Sequence, residues 1–79
     1  MRTVEIISEP VELYKILKFE GMVGSGGEAK MVIADGMVLV NGEVETRKRK
    51  KIVAGDRIDF DGETVLIRVA DTDATTTRR

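Results

Sequence analysis

The sequence has 79 residues and a formal net charge of −1; 42% of its residues are hydrophobic and 34% are charged, which predicts one small globular domain with a modest core. It contains neither cysteine nor histidine, so disulfide bonds and metal sites built on those ligands are excluded. No apolar run is long enough to span a membrane and no signal-peptide pattern is present, so we expect a cytoplasmic protein without membrane contact.

The chain opens with a predicted strand over residues 3–7, where β-branched residues dominate. A first helix is expected to open at Glu9-Pro10, because proline is tolerated at the first helical position. Gly21 is suited to end this helix in the left-handed conformation. The helix has an apolar stripe with helical spacing, formed by Leu13, Ile16 and Leu17.

A second helix is predicted from a capping box at Ser25 and Glu28, in which each residue accepts a hydrogen bond from the other's backbone N–H group. It should run to about Asp35 and end at Gly36. Its inward-facing residues are expected to be Ala29, Val32 and Ile33. The two short helices therefore form an αα hairpin.

The hydrophobic pattern then changes to the alternation that is typical of strands. Asn41-Gly42 and Asp61-Gly62 are strong signals for tight hairpin turns. Apart from the first, strands are expected over residues 37–40, 43–45, 57–60 and 64–69, and apolar character resumes over residues 52–54. We expect an α+β fold in which the two helices pack on a small antiparallel sheet of about four to five strands. Residues 1–70 would form the single domain, and residues 71–79 a disordered tail.

Five consecutive basic residues lie within this strand region, and we call them the basic segment: Arg47, Lys48, Arg49, Lys50 and Lys51. Without them the chain has a net charge of −6. An acidic body with one cationic patch attracts polyanions to one face, which favours nucleic-acid binding over a merely solvated loop or a targeting signal. If the segment is extended, Arg47, Arg49 and Lys51 share one face.

Residues 11–67 resemble the RNA-binding domain of the ribosomal protein S-four type, also called the alpha-L motif. The resemblance rests on a linked order of residues: Leu13, Leu17, Ser25, Ala29, Lys30, Ile33, Gly36, Val38, Val40, Asn41, Gly42, Val53, Gly55, Asp56 and Ile58. Glu20-Gly21 and the stretch over residues 44–49 look closest to the YbcJ-like branch of small stand-alone bacterial proteins. Gly26 departs from the family, whose members often carry arginine there.

The resemblance implies binding to structured RNA, with ribosomal or transfer RNA as candidates and association with the ribosome as a possibility. It implies contacts from the second helix and from the loop and hairpin that follow. The expected interface combines the basic segment with Lys30, Ser25, Gly26, Gly27 and Asn41. The open start of the second helix offers N–H groups to a phosphate, although a simply well-capped helix explains the same residues. We expect a monomer without a cofactor or metal ion.

Catalysis is not expected, because no histidine is present to activate Ser8 or Ser25 as a nucleophile. The acidic residues over positions 56–63 fit the polar face of a hairpin better than a carboxylate site. With three aromatic residues in the chain, phosphate and shape recognition is favoured over base stacking. The alternative function is a protein adaptor whose basic segment docks an acidic partner. DNA binding is disfavoured, because neither helix begins with a row of base-reading polar residues.

Overall fold

The computed structural model describes residues 2–70, and the predicted tail over residues 71–79 lies outside this range. Seven strands and two helices follow along the chain: β1 (Arg2–Ile6), β2 (Val11–Glu12), α1 (Leu13–Phe19), α2 (Gly26–Ala34), β3 (Val38–Val40), β4 (Glu43–Val44), β5 (Lys51–Ile52), β6 (Arg57–Phe60) and β7 (Glu63–Val69). The predicted α+β fold, with two helices packed on a sheet of five strands, is confirmed.

The main sheet has the strand order β1-β7-β6-β3-β4, and β2 pairs with β5 in a separate two-stranded ladder. Four strands of the main sheet pair antiparallel, as the hairpin signals predict. β1 instead runs parallel to β7, with Val4 opposite Ile67, so the sheet is mixed. The chain between these two strands includes both helices, and a long crossover of this kind permits parallel pairing.

The core lies between the helices and the main sheet. Alternate strand residues point to the same face, so β1, β3, β6 and β7 each bury every second side chain. The helices contribute the predicted apolar positions. The buried residues on the helices are Leu13, Ile16, Leu17, Ala29, Val32 and Ile33, and those on the main sheet are Val4, Ile6, Val38, Val40, Ile58, Phe60, Val65 and Ile67.

The first helix begins at Leu13, so the prediction that it opens at Glu9-Pro10 is wrong. Val11 and Glu12 are extended because they pair with Ile52 and Lys51 of β5. No side chain caps the start of α1. Its first N–H groups donate to carbonyl oxygens of the basic segment instead, which ties the helix start to that segment.

The second helix begins with the predicted cap, in a slightly different form. The backbone N–H of Glu28 donates to the Ser25 hydroxyl at 3.1 Å. The Glu28 carboxylate accepts from the backbone N–H of Gly24 at 2.7 Å, rather than from that of Ser25. Two N–H groups around the helix start are therefore satisfied by side chains, as in a capping box shifted by one residue.

Both predicted hairpin turns are present. Asn41 and Gly42 have φ angles of 53° and 85°, and Asp61 and Gly62 have φ angles of 53° and 79°. Two successive positive φ angles define the turn type that matches the twist of the flanking strands. The Asn41-Gly42 turn reverses the chain, so β4 runs antiparallel to β3 and back toward the start of β3. The end of α2 lies close to the start of β3 in the chain.

Gly36 is predicted to resist substitution, whereas Gly27 should not. Gly36 ends α2 with a φ angle of +78°, so alanine should destabilise the fold by about 1 kcal/mol. Gly27 lies in the first turn of α2, where an added Cβ meets nothing closer than 3.9 Å. Gly27→Ala should stabilise the fold by about 0.5–1 kcal/mol. Urea unfolding measures the free energy of unfolding of both variants. Equal changes in the two variants would contradict the prediction.

Candidate nucleic-acid interface

The basic segment forms a turn rather than an extended strand. The backbone N–H of Lys50 donates to the carbonyl of Arg47 at 3.1 Å, which closes a four-residue turn. The shared face of Arg47, Arg49 and Lys51, expected only if the segment is extended, therefore does not apply to this turn. Lys51 alone is in a strand, where it lies opposite Glu12 in the β2–β5 ladder.

Main-chain hydrogen bonds hold this turn against the rest of the domain. The carbonyl of Lys48 accepts from the N–H of Tyr14 at 3.1 Å, and the carbonyl of Lys50 accepts from the N–H of Leu13 at 2.9 Å. The next buried residue, Ile52, is fully enclosed in the core. The start of α1 thus satisfies its N–H groups with the turn's carbonyls, and the basic side chains project from a fixed backbone.

Arg47 forms an ion pair with Glu45, two residues earlier. The Glu45 carboxylate accepts from the Arg47 backbone N–H at 2.9 Å, from its Nε at 2.9 Å and from its Nη2 at 3.1 Å. The side chain of Glu45 is only 12% exposed, whereas that of Arg47 is 71% exposed. The hydrogen bonds from Arg47 lower the pKa of Glu45 to about 2, although its burial acts in the opposite direction.

A shallow groove of about 420 Å³ separates the turn from α2. Lys30 and Ala34 lie four residues apart, on the same face of α2, and form one wall. The Nζ atom of Lys30 lies 4.8 Å from the centre of the Tyr14 ring, at cation–π distance. The full lining is Lys30, Ala34, Thr46, Arg47, Lys48 and Arg49. The structure therefore brings the predicted lysine of α2 together with the basic segment.

The other predicted interface residues lie elsewhere. Ser25, Gly26 and Gly27 are at the start of α2 and do not line the groove, although Gly26 is only about 6 Å along the helix from Lys30 at 1.5 Å per residue. Asn41 lies at the turn beyond the other end of β3. Its side chain donates to Asp56 at 3.0 Å and accepts from the backbone N–H of Arg57 at 2.9 Å. Asn41 thus joins the hairpin to β6 and does not line the groove.

The whole fold, including the αα hairpin and the turn of the basic segment, corresponds to a known domain. The family model described as the S4 domain matches residues 4–68, which is most of the chain. The chain belongs to the S4 domain family. The resemblance to the RNA-binding domain of the ribosomal protein S-four type is thereby confirmed. Membership of this family favours a binding role over catalysis.

This S4 domain is similar in sequence to two bacterial proteins. A protein of Escherichia coli (strain K12) named "Putative RNA-binding protein YbcJ" is 50% identical over 68 residues, covering 85% of this chain and 97% of the relative. A protein of Bacillus subtilis (strain 168) named "Probable ribosome maturation protein RlbA" is 34% identical over 59 residues, covering 75% of this chain and 83% of the relative. Both alignments span most of each chain.

A solved structure agrees with the fold of this S4 domain. The solution structure of YbcJ from E. coli superposes with a TM-score of 0.67 at 51% sequence identity and covers 89% of both chains. That structure is described as revealing an alpha-L motif involved in RNA binding. The resemblance of this chain to the alpha-L motif and to its YbcJ-like branch is thereby confirmed.

The described part of this S4 domain lacks both a membrane-spanning helix and a cluster of metal-binding side chains. No helix within residues 2–70 is both long and apolar enough to cross a membrane. The same residues contain no group of three or more acidic side chains arranged to hold a metal ion. Of the acidic residues over positions 56–63, Asp56 accepts from the backbone N–H of Val53 at 2.9 Å, and Asp59 accepts from the Thr64 hydroxyl. These contacts fit the polar face of a hairpin.

Four residues in or beside the groove are not among the predicted interface residues: Tyr14, Ala34, Glu45 and Thr46. The Glu45–Arg47 pair had a signal, because residues two apart in an extended segment share a face and opposite charges attract. No local sequence pattern predicts the place of Tyr14 beside the groove, because its contacts with Lys30 and Lys48 join residues that are far apart in sequence. Ala34 and Thr46 are small residues whose importance depends on the space between two elements.

Protonation of Glu45 is predicted to weaken the turn of this S4 domain at low pH. Because its folded pKa of about 2 lies below the ordinary value of 4.5 for a glutamate, its contribution to stability is full above about pH 5 and is lost as the pH falls through 2. The stability difference between the wild type and Glu45→Gln should shrink over this range. Thermal unfolding from pH 7 to pH 2 measures it, and a constant difference would contradict the prediction. Glu43→Gln, which removes the same charge from an exposed position, is the control.

Proposed function

We propose that this protein binds structured RNA through the turn of the basic segment and the facing wall of α2, mainly by contacts to phosphates and to the shape of the RNA. The observation that carries the proposal is the groove in which Lys30 from α2 lies opposite Arg47, Lys48 and Arg49. Four cationic side chains from two elements surround one concave surface. This arrangement suits a polyanion whose phosphates approach from both sides.

The fixed backbone of the turn supports recognition of a folded RNA. Hydrogen bonds from Leu13 and Tyr14 hold the turn before any ligand binds, so little conformational freedom is lost on binding. Arginine can donate two parallel hydrogen bonds to a phosphate. In Arg47 the Nε and Nη2 groups are engaged by Glu45, so Arg49 is the better candidate for this contact.

Stacking on aromatic residues is a minor part of the proposed mode. The ring of Tyr14 has Lys30 above it at 4.8 Å, and a second lysine, Lys15, lies 6.0 Å from the same ring. Phe60 is buried in the core, and the exposed Phe19 does not line the groove. Phosphate contacts and the shape of a folded RNA are therefore the main determinants that we propose.

The RNA class that we propose is ribosomal RNA, with transfer RNA as the alternative. The name of the B. subtilis relative, which refers to ribosome maturation, supports this choice. We also propose that residues 1–70 act as a single monomeric domain in the cytoplasm and associate with the ribosome or its precursors. Sedimentation of a cell lysate on a sucrose gradient checks the association, because the protein should then move with ribosomal particles.

A mobility-shift assay with purified protein tests the central proposal. The probes are a structured ribosomal RNA fragment and a duplex DNA of matched length, each over a series of salt concentrations. With about five phosphate contacts, log K should fall with log salt at a slope of roughly −3.5 to −4.5 on RNA. We expect a preference for RNA over DNA at every salt concentration.

Absence of a shift on RNA at low salt, with a folded protein, would overturn the proposal. The basic segment would then serve an acidic protein partner, which is the adaptor alternative. Affinity capture from a lysate with and without ribonuclease separates these functions. Partners that remain bound after ribonuclease treatment favour the adaptor, whereas partners lost on treatment favour RNA binding.

A further inference from the structure

The groove contains two neutral residues among its four cations. Ala34, at the end of α2, has the smallest side chain of any residue except glycine, so it adds little bulk to the wall of the groove. Thr46 contributes the only hydroxyl among the six lining residues. Within residues 2–70 this hydroxyl has no hydrogen-bond partner, and Thr46 is exposed. A free hydroxyl is therefore available beside a cluster of phosphate-binding side chains.

The dimensions and chemistry of the groove suit part of a nucleotide. Its volume of about 420 Å³ falls within the range of about 300–1,000 Å³ found for small-ligand sites. None of its six lining residues is aromatic, so the groove offers no ring on which a base could stack. Cations together with a hydroxyl instead match a phosphate attached to a ribose.

We propose that the groove holds the sugar and phosphate of one unpaired ribonucleotide, and that the Thr46 hydroxyl forms a hydrogen bond with its 2′-hydroxyl. This inference rests on the RNA binding proposed above and adds the residue that distinguishes RNA from DNA. The 2′-hydroxyl both donates and accepts hydrogen bonds, and so does the hydroxyl of threonine. Lys30 and Arg49, on opposite sides of the groove, bind the flanking phosphates.

The backbone around Thr46 gives this contact a fixed position. The preceding residue, Glu45, donates its backbone N–H to the carbonyl of Val38 at 2.9 Å, and its side chain is held by Arg47. Thr46 therefore lies between two anchored residues. A hydroxyl on such a backbone can select a ligand by geometry, because little rearrangement is needed on binding.

The test compares two stem-loop probes by fluorescence anisotropy. One is all RNA, and the other has the same RNA stem with 2′-deoxynucleotides confined to its loop, so the stem keeps its A-form shape. The wild type should bind the all-RNA probe about fivefold to tenfold more tightly, as expected for one hydrogen bond. Thr46→Val removes the hydroxyl at nearly constant volume and should abolish this preference. Its affinity for the deoxy-loop probe should equal that of the wild type.

Two further variants make the result specific. Thr46→Ser keeps a hydroxyl and should restore most of the preference. Ala34→Leu fills the groove at an exposed helical position and should weaken binding of both probes by at least tenfold. Circular dichroism melts verify that each variant is folded.

Three outcomes would overturn the inference. If the wild type binds both probes equally, the groove does not read the 2′-hydroxyl. If Thr46→Val keeps the full preference, another residue reads it. If the wild type binds neither probe at low salt, the proposed RNA binding itself fails, and the inference fails with it. The first two outcomes leave RNA binding intact, so the two proposals can be separated.

Discussion

The double variant Lys48→Glu, Arg49→Glu is expected to bind structured RNA roughly 10²- to 10³-fold more weakly than the wild type at low salt. Both side chains line the groove and are exposed. A charge-assisted hydrogen bond contributes about 1.5–3 kcal/mol, so the loss of two accounts for an effect of this size. The slope of log K against log salt should become less steep by about 1.4–1.8. Mobility shifts over a salt series measure both quantities.

These two positions are preferable to Arg47 for the charge reversal. A glutamate at position 47 would face the carboxylate of Glu45, which is only 12% exposed, and the repulsion would disturb the turn itself. In contrast, Lys48 is held through its backbone carbonyl, which any residue provides. Loss of binding in the Lys48, Arg49 variant therefore reports on the side chains and not on the fold of the segment.

The matched control is Arg2→Glu, Arg68→Glu, which changes the net charge by the same amount at the β1–β7 edge of the sheet. Arg2 and Arg68 make exposed ion pairs with Glu63 and Glu5 at 3.8 and 3.9 Å, and such pairs contribute little to stability. RNA affinity should fall by less than about fivefold, through long-range repulsion alone. Equal losses in the two double variants would mean that net charge, and not the groove, governs binding.

Leu17→Ala should produce the largest loss of stability among the substitutions considered. Leu17 is on the inner face of α1 and is fully buried in the hydrophobic core. Removal of a buried leucine side chain costs about 2–5 kcal/mol, because apolar contacts are lost and a cavity remains. A domain of this size has a free energy of unfolding of the order of 4–12 kcal/mol, at 0.05–0.15 kcal/mol per residue. The variant should therefore melt roughly 10–20 °C lower than the wild type.

Phe19→Ala on the same helix is the control for this prediction. Its ring is larger than the leucine side chain, yet it is 65% exposed. Its removal should change the free energy of unfolding by no more than about 0.5 kcal/mol. Equal melting temperatures for the two variants would show that α1 does not pack as described. At a temperature where Leu17→Ala is still folded, it should bind RNA with wild-type affinity, because Leu17 does not line the groove.

Much of the fold could be predicted because its signals are local. The left-handed turns at Asn41-Gly42 and Asp61-Gly62 follow from residue types that tolerate positive φ. The apolar stripes of the helices and the alternation in the strands report which side chains face the core. The basic segment was also visible, because charge clustering requires no knowledge of neighbouring elements.

Other features depended on contacts between distant residues. Val11 and Glu12 became a strand because β5, about forty residues later, supplies their pairing partner. That pairing moves the start of α1 to Leu13, where carbonyls of the basic segment satisfy the first N–H groups. The same hydrogen bonds hold the segment in a turn, so the extended conformation in which Arg47, Arg49 and Lys51 would share one face is not present. Both differences therefore have one cause.

The sequence by itself determined the α+β class, the helix faces, the hairpin turns and the cationic character of the candidate site. Each of these follows from the chemistry of neighbouring residues and from the periodicity of helices and strands. Only the tertiary structure decided that β1 pairs in parallel with β7 and that Lys30, Ala34 and Thr46 share a groove with the basic segment. Such contacts arise when separate elements pack on a common core, so a local pattern of residues does not record them.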